Sequence, residues 1–279
     1  MKFSVVIVNY DSWPHTLRCV EALHRTGCAS FDVIVVDNGR EKPPGLPGTV
    51  RLIRNSENVG FARACNQGIA ASGGDCIVLI NPDTLVERDF FEVLEEFLEG
   101  KPEVGIVGPR VVDGYGNLQL SARREIGLLS GLLGRTSFLT RLFSNSTMVK
   151  RMFPAAGSLD GPAEVDWVSG ACMAVRREVL EAVGGLDERF FMYFEDADLC
   201  RRSRRSGWPV YYLPQLEILH LTGASSRRKL RAIWMLHRSA FLYHRKYGPH
   251  GPFGLYSLLV LLGLCARGLT KSAVSLLGR

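Results

Sequence analysis

Three short apolar runs, each stopping abruptly at polar residues, constrain this chain more than any other feature. Phe3 to Val8 ends at Asn9-Tyr10-Asp11, Phe31 to Val36 at Asp37-Asn38, and Cys76 to Ile80 at Asn81-Pro82-Asp83. Runs this short, rich in β-branched residues and without polar alternation, are strands buried on both faces, which belong to parallel sheets. Between them the pattern turns helical, over about Trp13 to Arg25 (Pro14 suits the first turn), Gly60 to Ala71 and Asp89 to Glu99, while Val50 to Arg54 adds a short strand. Alternating strands and helices predict an α/β fold with a mostly parallel central sheet flanked by helices. Ligands of open α/β sheets bind just beyond the carboxyl ends of the strands. The polar tips are therefore the first place to look for a site.

The chain has 279 residues, 46% hydrophobic and 22% charged, which fits one large α/β domain or one domain with an appendage and makes disorder not the default. Seven cysteines are scattered without a C-x-x-C pair, so reduced thiols in a cytosolic protein are expected, not a disulfide framework or zinc site. The N-terminal apolar run is too short for a signal peptide and reads as the first strand. No stretch reaches the roughly 18 apolar residues of a membrane span; the closest, Phe253 to Ala266, stops at Arg267. Charge is unevenly spread. From Leu199 onward there are 14 Lys and Arg against one acid, Glu217, although the whole chain carries only +6. Such a basic region suggests a surface facing a polyanion (nucleic acid, an anionic membrane or a phosphate-bearing substrate), the plainer reading being a solvated basic face. Interleaved with Trp234, Phe241, Tyr243 and an apolar tail, it points to an anionic membrane surface, with peripheral attachment, over nucleic acid.

Residues 125–160 read as an irregular, apolar, Gly/Ser-broken insertion, and Val165 to His220 as a second compact segment. An amphipathic helix is expected over about Lys229 to Arg245, then a turn at Gly248 to Pro252 and a further helix. No internal repeat is present.

Three constellations carry possible chemistry. Asn81-Pro82-Asp83 is ordinarily a turn, but it sets a carboxylate at a strand tip, where hard cations find oxygen ligands. Phe190 to Leu199 holds Glu195, Asp196 and Asp198 after an aromatic run. Acids favour a helix's first turn and Asp198 can pair with Arg202, yet an aromatic-lined carboxylate also suits a general base. His220 after an apolar strand is usually structural, but can ligate a metal or phosphate.

Taken in order, these pieces resemble the inverting GT-A-fold glycosyltransferases of family 2, especially the rhamnosyltransferase-like branch. The matching motifs are Val5-Val6-Ile7-Val8-Asn9-Tyr10, Val35-Val36-Asp37-Asn38, Asn58-Val59-Gly60-Phe61-Ala62 with Asn66, and Asn81-Pro82-Asp83. Gly170-Ala171-Cys172-Met173, Gly184 to Glu188, Phe194 to Leu199, and His220 with Gly223 and Ser225 follow. The resemblance covers 1–225, the expected transferase domain, and leaves 226–279 as a basic, apolar helical extension. It implies a nucleotide site at Asn9, Tyr10, Asp37, Asn58, Gly60, Arg63 and Asn81, with the helix after Gly60 offering N–H groups to phosphate. It further implies Mg²⁺ or Mn²⁺ on Asp83 and His220, with Asn81 standing where the family's D-x-D has its first Asp. Asp196 would be the catalytic base, with Glu195 the second candidate, and Trp167, Gly170, Ala171, Cys172 and Met173 would shape the sugar and acceptor pocket. The implied activity is sugar transfer with inversion from a nucleotide-sugar, dTDP-rhamnose ahead of UDP-sugars, to a saccharide acceptor, expected to be lipid-linked at the cytoplasmic membrane face. A dehydrogenase is disfavoured by the lack of G-x-G-x-x-G after the first strand. A sugar nucleotidyltransferase and a non-catalytic membrane-associated scaffold are the remaining rivals.

Overall fold

The computed structural model describes residues 1–27, 30–123, 160–221, 229–249 and 254–277. Cys28, Gly223, Ser225 and all but the last residue of the expected insertion lie outside these. The first half of the chain forms β1 (Phe3–Asn9), α1 (Trp13–His24), β2 (Phe31–Asp37), β3 (Val50–Arg54), α2 (Phe61–Ala71), β4 (Cys76–Ile80) and α3 (Phe90–Gly100), close to the boundaries expected from periodicity. β1 lies between β2 and β4, parallel to both, so Val5 sits beside Val33 and Val78; β3 extends the parallel sheet beside β2. Alternate residues of β1 enter two different cores. Phe3, Val5 and Ile7 pack with Trp13, Leu23, Phe90 and Phe91 on one face, and Val6 and Val8 with Ala62 and Cys65 on the other. Burial on both faces is why these strands read as unbroken apolar runs.

The second half adds β5 (Thr84–Val86), β6 (Ile106–Val112), β7 (Leu118–Gln119), β8 (Ala122–Arg123), β9 (Ala163–Val165), β10 (Trp167–Val168), β11 (Cys172–Arg176), α4 (Arg177–Val183), α5 (Glu195–Arg205) and β12 (Val210–His220). The sheet order is β3-β2-β1-β4-β11-β6-β12-β5. β11 runs antiparallel between β4 and β6, and β12, parallel to β6, closes antiparallel on β5 with His220 opposite Thr84. That register brings the end of a late strand to the tip of β4.

Two helices complete the chain: α6 (Lys229–Tyr247) and α7 (Leu255–Leu277). α6 is fixed to α5 and to the loop before it. Lys246 Nζ lies 2.6 Å from Asp198 Oδ1 and 2.7 Å from Asp187 Oδ2, and Tyr247 Oη donates to Asp198 Oδ1 at 2.7 Å. α7 is the further helix expected after the turn; it continues past Arg267, where the apolar run stops, and Leu255–Ala273, 19 residues, is long and apolar enough to cross a membrane by length and composition, which corrects the reading that no stretch is. An isolated charge interrupts an apolar run in sequence, but does not end a helix, because Arg is a good helix former.

Candidate active site

Three strand tips meet at one edge of the sheet. At the end of β1, Asn9 is fully buried and its amide bridges elements. Nδ2 donates to Asp37 Oδ1 at 2.8 Å, and Oδ1 accepts from Thr16 Oγ1 at 2.9 Å and Ser12 N at 3.2 Å. Asn9 is thus committed to holding β1, β2 and α1 together, while the neighbouring Tyr10 is only half-buried. Asp37 is also fully buried, and Oδ1 takes a further bond from Gly39 N at 2.9 Å. Its Oδ2 has no hydrogen-bond donor among the described residues; Arg54 Nε stands 3.5 Å away. A buried carboxylate oxygen left unbonded is costly, so Asp37 Oδ2 is a ready acceptor for a ligand N–H.

Gly60 holds φ +93, and a Cβ there would lie 2.9 Å from the Phe191 carbonyl, so only glycine fits this approach. Gly60 N is bonded to Asn58 Oδ1 at 2.9 Å and Phe61 N to Phe191 O at 2.7 Å. These two N–H groups are therefore not free for phosphate, which leaves the later N–H groups of the first turn of α2 for that role. Tertiary packing supplied the acceptor for Phe61 N from 130 residues along the chain. Arg63 is exposed, 3.9 Å from Glu188.

The tip of β4 carries the most distinctive pair. Asp83 Oδ1 lies 3.2 Å from His220 Nε2, and Asp83 O accepts from Leu221 N at 2.9 Å. Gln119 on β7, which sequence reasoning missed, sets the ring. Its Nε2 donates to the His220 carbonyl at 3.1 Å, which orients the amide so that Oε1 faces His220 Nδ1 at 3.1 Å. With Nδ1 donating to that oxygen, Nε2 is left facing Asp83 Oδ1, as an N–H donor to the carboxylate or as a ligand to a cation set between them. Two ligands at right angles, each about 2.1 Å from a small divalent ion, are roughly 3 Å apart, so this pair fits a cation. No group of three or more His, Cys, Asp or Glu able to hold a metal occurs among the described residues. A cation here would draw the rest of its shell from ligand oxygens and water.

The aromatic segment before α5 is held under strain. Tyr193 and Phe194 have φ +71 and +70, a left-handed geometry that costs bulky residues on the order of 1–3 kcal/mol each. Three tethers hold it: Phe191 O on Phe61 N, Met192 O on Ser239 Oγ at 2.7 Å, and Phe194 against Tyr243. Ser239 and Tyr243 lie on α6, so an element carrying no family motif shapes the site. The strain presents Glu195 and Asp196 at the start of α5. Asp196 is half-buried, with Oδ2 accepting from Gly170 N at 2.9 Å and Oδ1 from Ala197 N at 2.8 Å. Burial raises its carboxyl above the usual range, against the pull of those two N–H groups and of Arg123. Glu195 is buried with Oε2 unbonded among the described residues, and burial, then the neighbouring Asp196, pushes its carboxyl well up. Asp198 takes the structural role open to it from sequence, fully buried and bonded to Arg202 Nε at 2.7 Å.

Gly170 and Ala171 link the two halves. Gly170 N donates to Asp196, and Ala171 O accepts from Asn81 N at 2.9 Å, two residues before Asp83. Asp196 and the Asp83–His220 pair therefore border one region. Trp167, stacked under Arg123 at 4.7 Å, has a buried indole Nε1–H without an acceptor among the described residues. Cys172 and Met173 are 1% exposed and lie in the two opposite cores. They are sheet interior, not pocket wall, because β11 passes between β4 and β6.

A model of glycosyltransferase like family 2 matches residues 1–236. The chain is 30% identical over 247 residues to the N-acetylglucosaminyl-diphospho-decaprenol L-rhamnosyltransferase of Mycobacterium tuberculosis, covering 80% of this chain and 77% of that one. It is 27% identical over 170 residues, 61% of each chain, to the rhamnosyltransferase WbbL of Escherichia coli. Among solved structures, the mannosyltransferase PcManGT from Pyrobaculum calidifontis, in complex with GDP-Man and Mn²⁺, shares the fold at a TM-score of 0.58 and 17% identity over 98% of this chain and 75% of that one. GalNAc-T7 with UDP, GalNAc and Mn²⁺ shares it at 0.61 and 16% identity, over 80% of this chain but only 44% of its own. Since the match runs from β1 into α6 and the motifs fall on the tips of a GT-A sheet, the chain belongs to glycosyltransferase family 2, in its rhamnosyltransferase-like branch.

Proposed function

We propose that this protein transfers a sugar, with inversion, from a nucleoside diphosphate to a saccharide acceptor carried on a lipid. dTDP-rhamnose is the leading donor, and UDP-sugars come next. The reading rests above all on one observation: Asp196 and the Asp83–His220 pair are joined through consecutive residues, Gly170 and Ala171. Inversion by single displacement needs a base at the acceptor and charge neutralisation at the leaving group, both within reach of one sugar. The names of the mycobacterial and Escherichia coli relatives support rhamnose and a lipid-diphosphate acceptor.

Asp37 Oδ2 accepts an N–H of the donor base, with Asn9 holding the carboxylate in place and Tyr10, Asn58, Gly60, Arg63 and Asn81 bordering the nucleotide. Asp83 and His220 Nε2 would hold Mg²⁺ or Mn²⁺, with Gln119 fixing the ring. When bound, such a cation offsets the charge developing on the departing diphosphate. The N–H bonds from Gly170 and Ala197 keep Asp196 aimed and favour its charged form, so it can take the proton of the incoming hydroxyl. Trp167 Nε1–H is free to donate to a sugar or acceptor oxygen. Residues 226–279 act as an extension of the 1–225 domain, working at the cytoplasmic membrane face.

The deciding assay supplies dTDP-rhamnose, Mg²⁺ and a polyprenyl-diphospho-saccharide. Release of nucleoside diphosphate and a product of opposite anomeric configuration is expected. Release of pyrophosphate would instead identify a nucleotidyltransferase, and donor binding without turnover on any acceptor a scaffold.

A further inference from the structure

The two C-terminal helices carry a surface that the transfer chemistry does not use. On α6, Arg231, Trp234, Arg238 and Arg245 are exposed, at positions i, i+3, i+7 and i+14 of one helical stripe. On α7, Leu255, Leu258, Leu259, Leu262 and Leu269 are exposed, at i, i+3, i+4, i+7 and i+14. That stripe runs about 21 Å along one face at the helical rise. The other face of α7 packs on α6. Ser257 Oγ lies 3.3 Å from His244 Nε2, and a side chain at Gly268 would run into the Trp234 ring at 3.1 Å. Pairing 257 with 244 and 268 with 234 makes the helices antiparallel. It sets Trp234 against α7 one residue before exposed Leu269, so the arginine–tryptophan stripe adjoins the leucine stripe.

A helix crossing a bilayer is apolar all round. In α7 the side that holds Ser257 and Gly268 packs on α6 and, although Val260 and Leu264 lie there too, also carries Arg267 and Lys271, whereas leucines dominate the exposed side. Apolar face, bordering tryptophan and arginines are the parts of a helix lying in a membrane interface. Arg231, Arg238 and Arg245, exposed on α6, supply the complementary charge for anionic headgroups. We propose that α7 lies in the plane of an anionic bilayer, its leucine stripe among the acyl chains and the arginines of α6 on the headgroups, without crossing the membrane. The inference rests on these surfaces alone and stands whether or not the donor and acceptor are those proposed above.

Flotation of the full chain with vesicles tests it. Phosphatidylglycerol–phosphatidylcholine vesicles should carry the protein, pure phosphatidylcholine far less, and alkaline carbonate should release it. L258D/L262D should lower binding at least about tenfold, with unchanged circular dichroism; R231E/R238E should erase the preference for anionic lipid while leaving the leucines intact. Three results would overturn the proposal: unchanged binding in both variants, wild-type protein that resists carbonate and so spans, or light scattering that finds a dimer dispersed by L258D/L262D without vesicle binding, which would seat a second copy on the stripe.

Discussion

Two adjacent carboxyl groups at the start of α5 face opposite demands. Asp196 has two N–H donors and Glu195 Oε2 has none, so the charge belongs on Asp196 and the proton on Glu195. Asp196→Asn keeps the size and loses the proton acceptor. It should bind donor as the wild type does while kcat falls by about 10²–10⁴; near-wild-type turnover would remove Asp196 as the base. Glu195 makes a stability prediction. Its folded carboxyl is raised above the unfolded value of 4.5, by burial first and Asp196 second, so the folded state binds the proton more tightly. Its contribution is complete below that unfolded value and is lost as pH rises toward the raised one. Glu195→Gln stays neutral throughout, so the Tm of the wild type should drop relative to the variant as pH climbs from about 4.5 through neutrality. Parallel Tm profiles would show that Glu195 is ionised in the fold.

At the scale of elements, the site depends on segments outside the motifs. β7, paired with β6, contributes Gln119, whose side chain meets both the carbonyl and the ring of His220. Gln119→Leu should weaken Mn²⁺ affinity about 10–100-fold, as titration would show, without a matching loss of fold stability. α6 braces both sides of the strained segment through Lys246, which meets Asp187 before it and Asp198 on α5. Lys246→Ala leaves the fully buried Asp198 with Arg202 and Tyr247 alone. A loss of about 2 kcal/mol is expected in denaturant unfolding, less than for a wholly uncompensated buried charge because Arg202 remains. Faster proteolysis within α6 should accompany it.

Over the whole molecule, donor and cation should stabilise each other's binding, since both sit at the same sheet edge. In a thermal-shift panel the proposed donor with Mg²⁺ or Mn²⁺ should raise the midpoint, and each alone should raise it less, because only the folded state offers the site. Exhaustive chelation should abolish transfer, and either ion should restore it. Activity that survives chelation would leave Asp83 and His220 without the role proposed for them. The buried thiols should play no part. Burial pushes Cys76 and Cys200 up to about 12, so neither supplies a thiolate near neutral pH.

The sequence alone determined the elements and the strand tips. Runs such as Val5 to Val8 are apolar on both faces only inside a covered parallel sheet, and Asn9, Asp37 and Asp83 end such runs. Local pattern therefore carried them, and ordered motifs carried the family. It could not tell exposed from buried within β11, so Cys172 and Met173 looked like pocket residues although they are core. Nor could it show that Phe191 would cap Phe61, that Gln119 would orient a histidine 101 residues away, or that α6 would hold the loop before Asp196. Those contacts join segments far apart in the chain, and no local period records a long-range partner. Only the packing of the folded sheet and helices decides them.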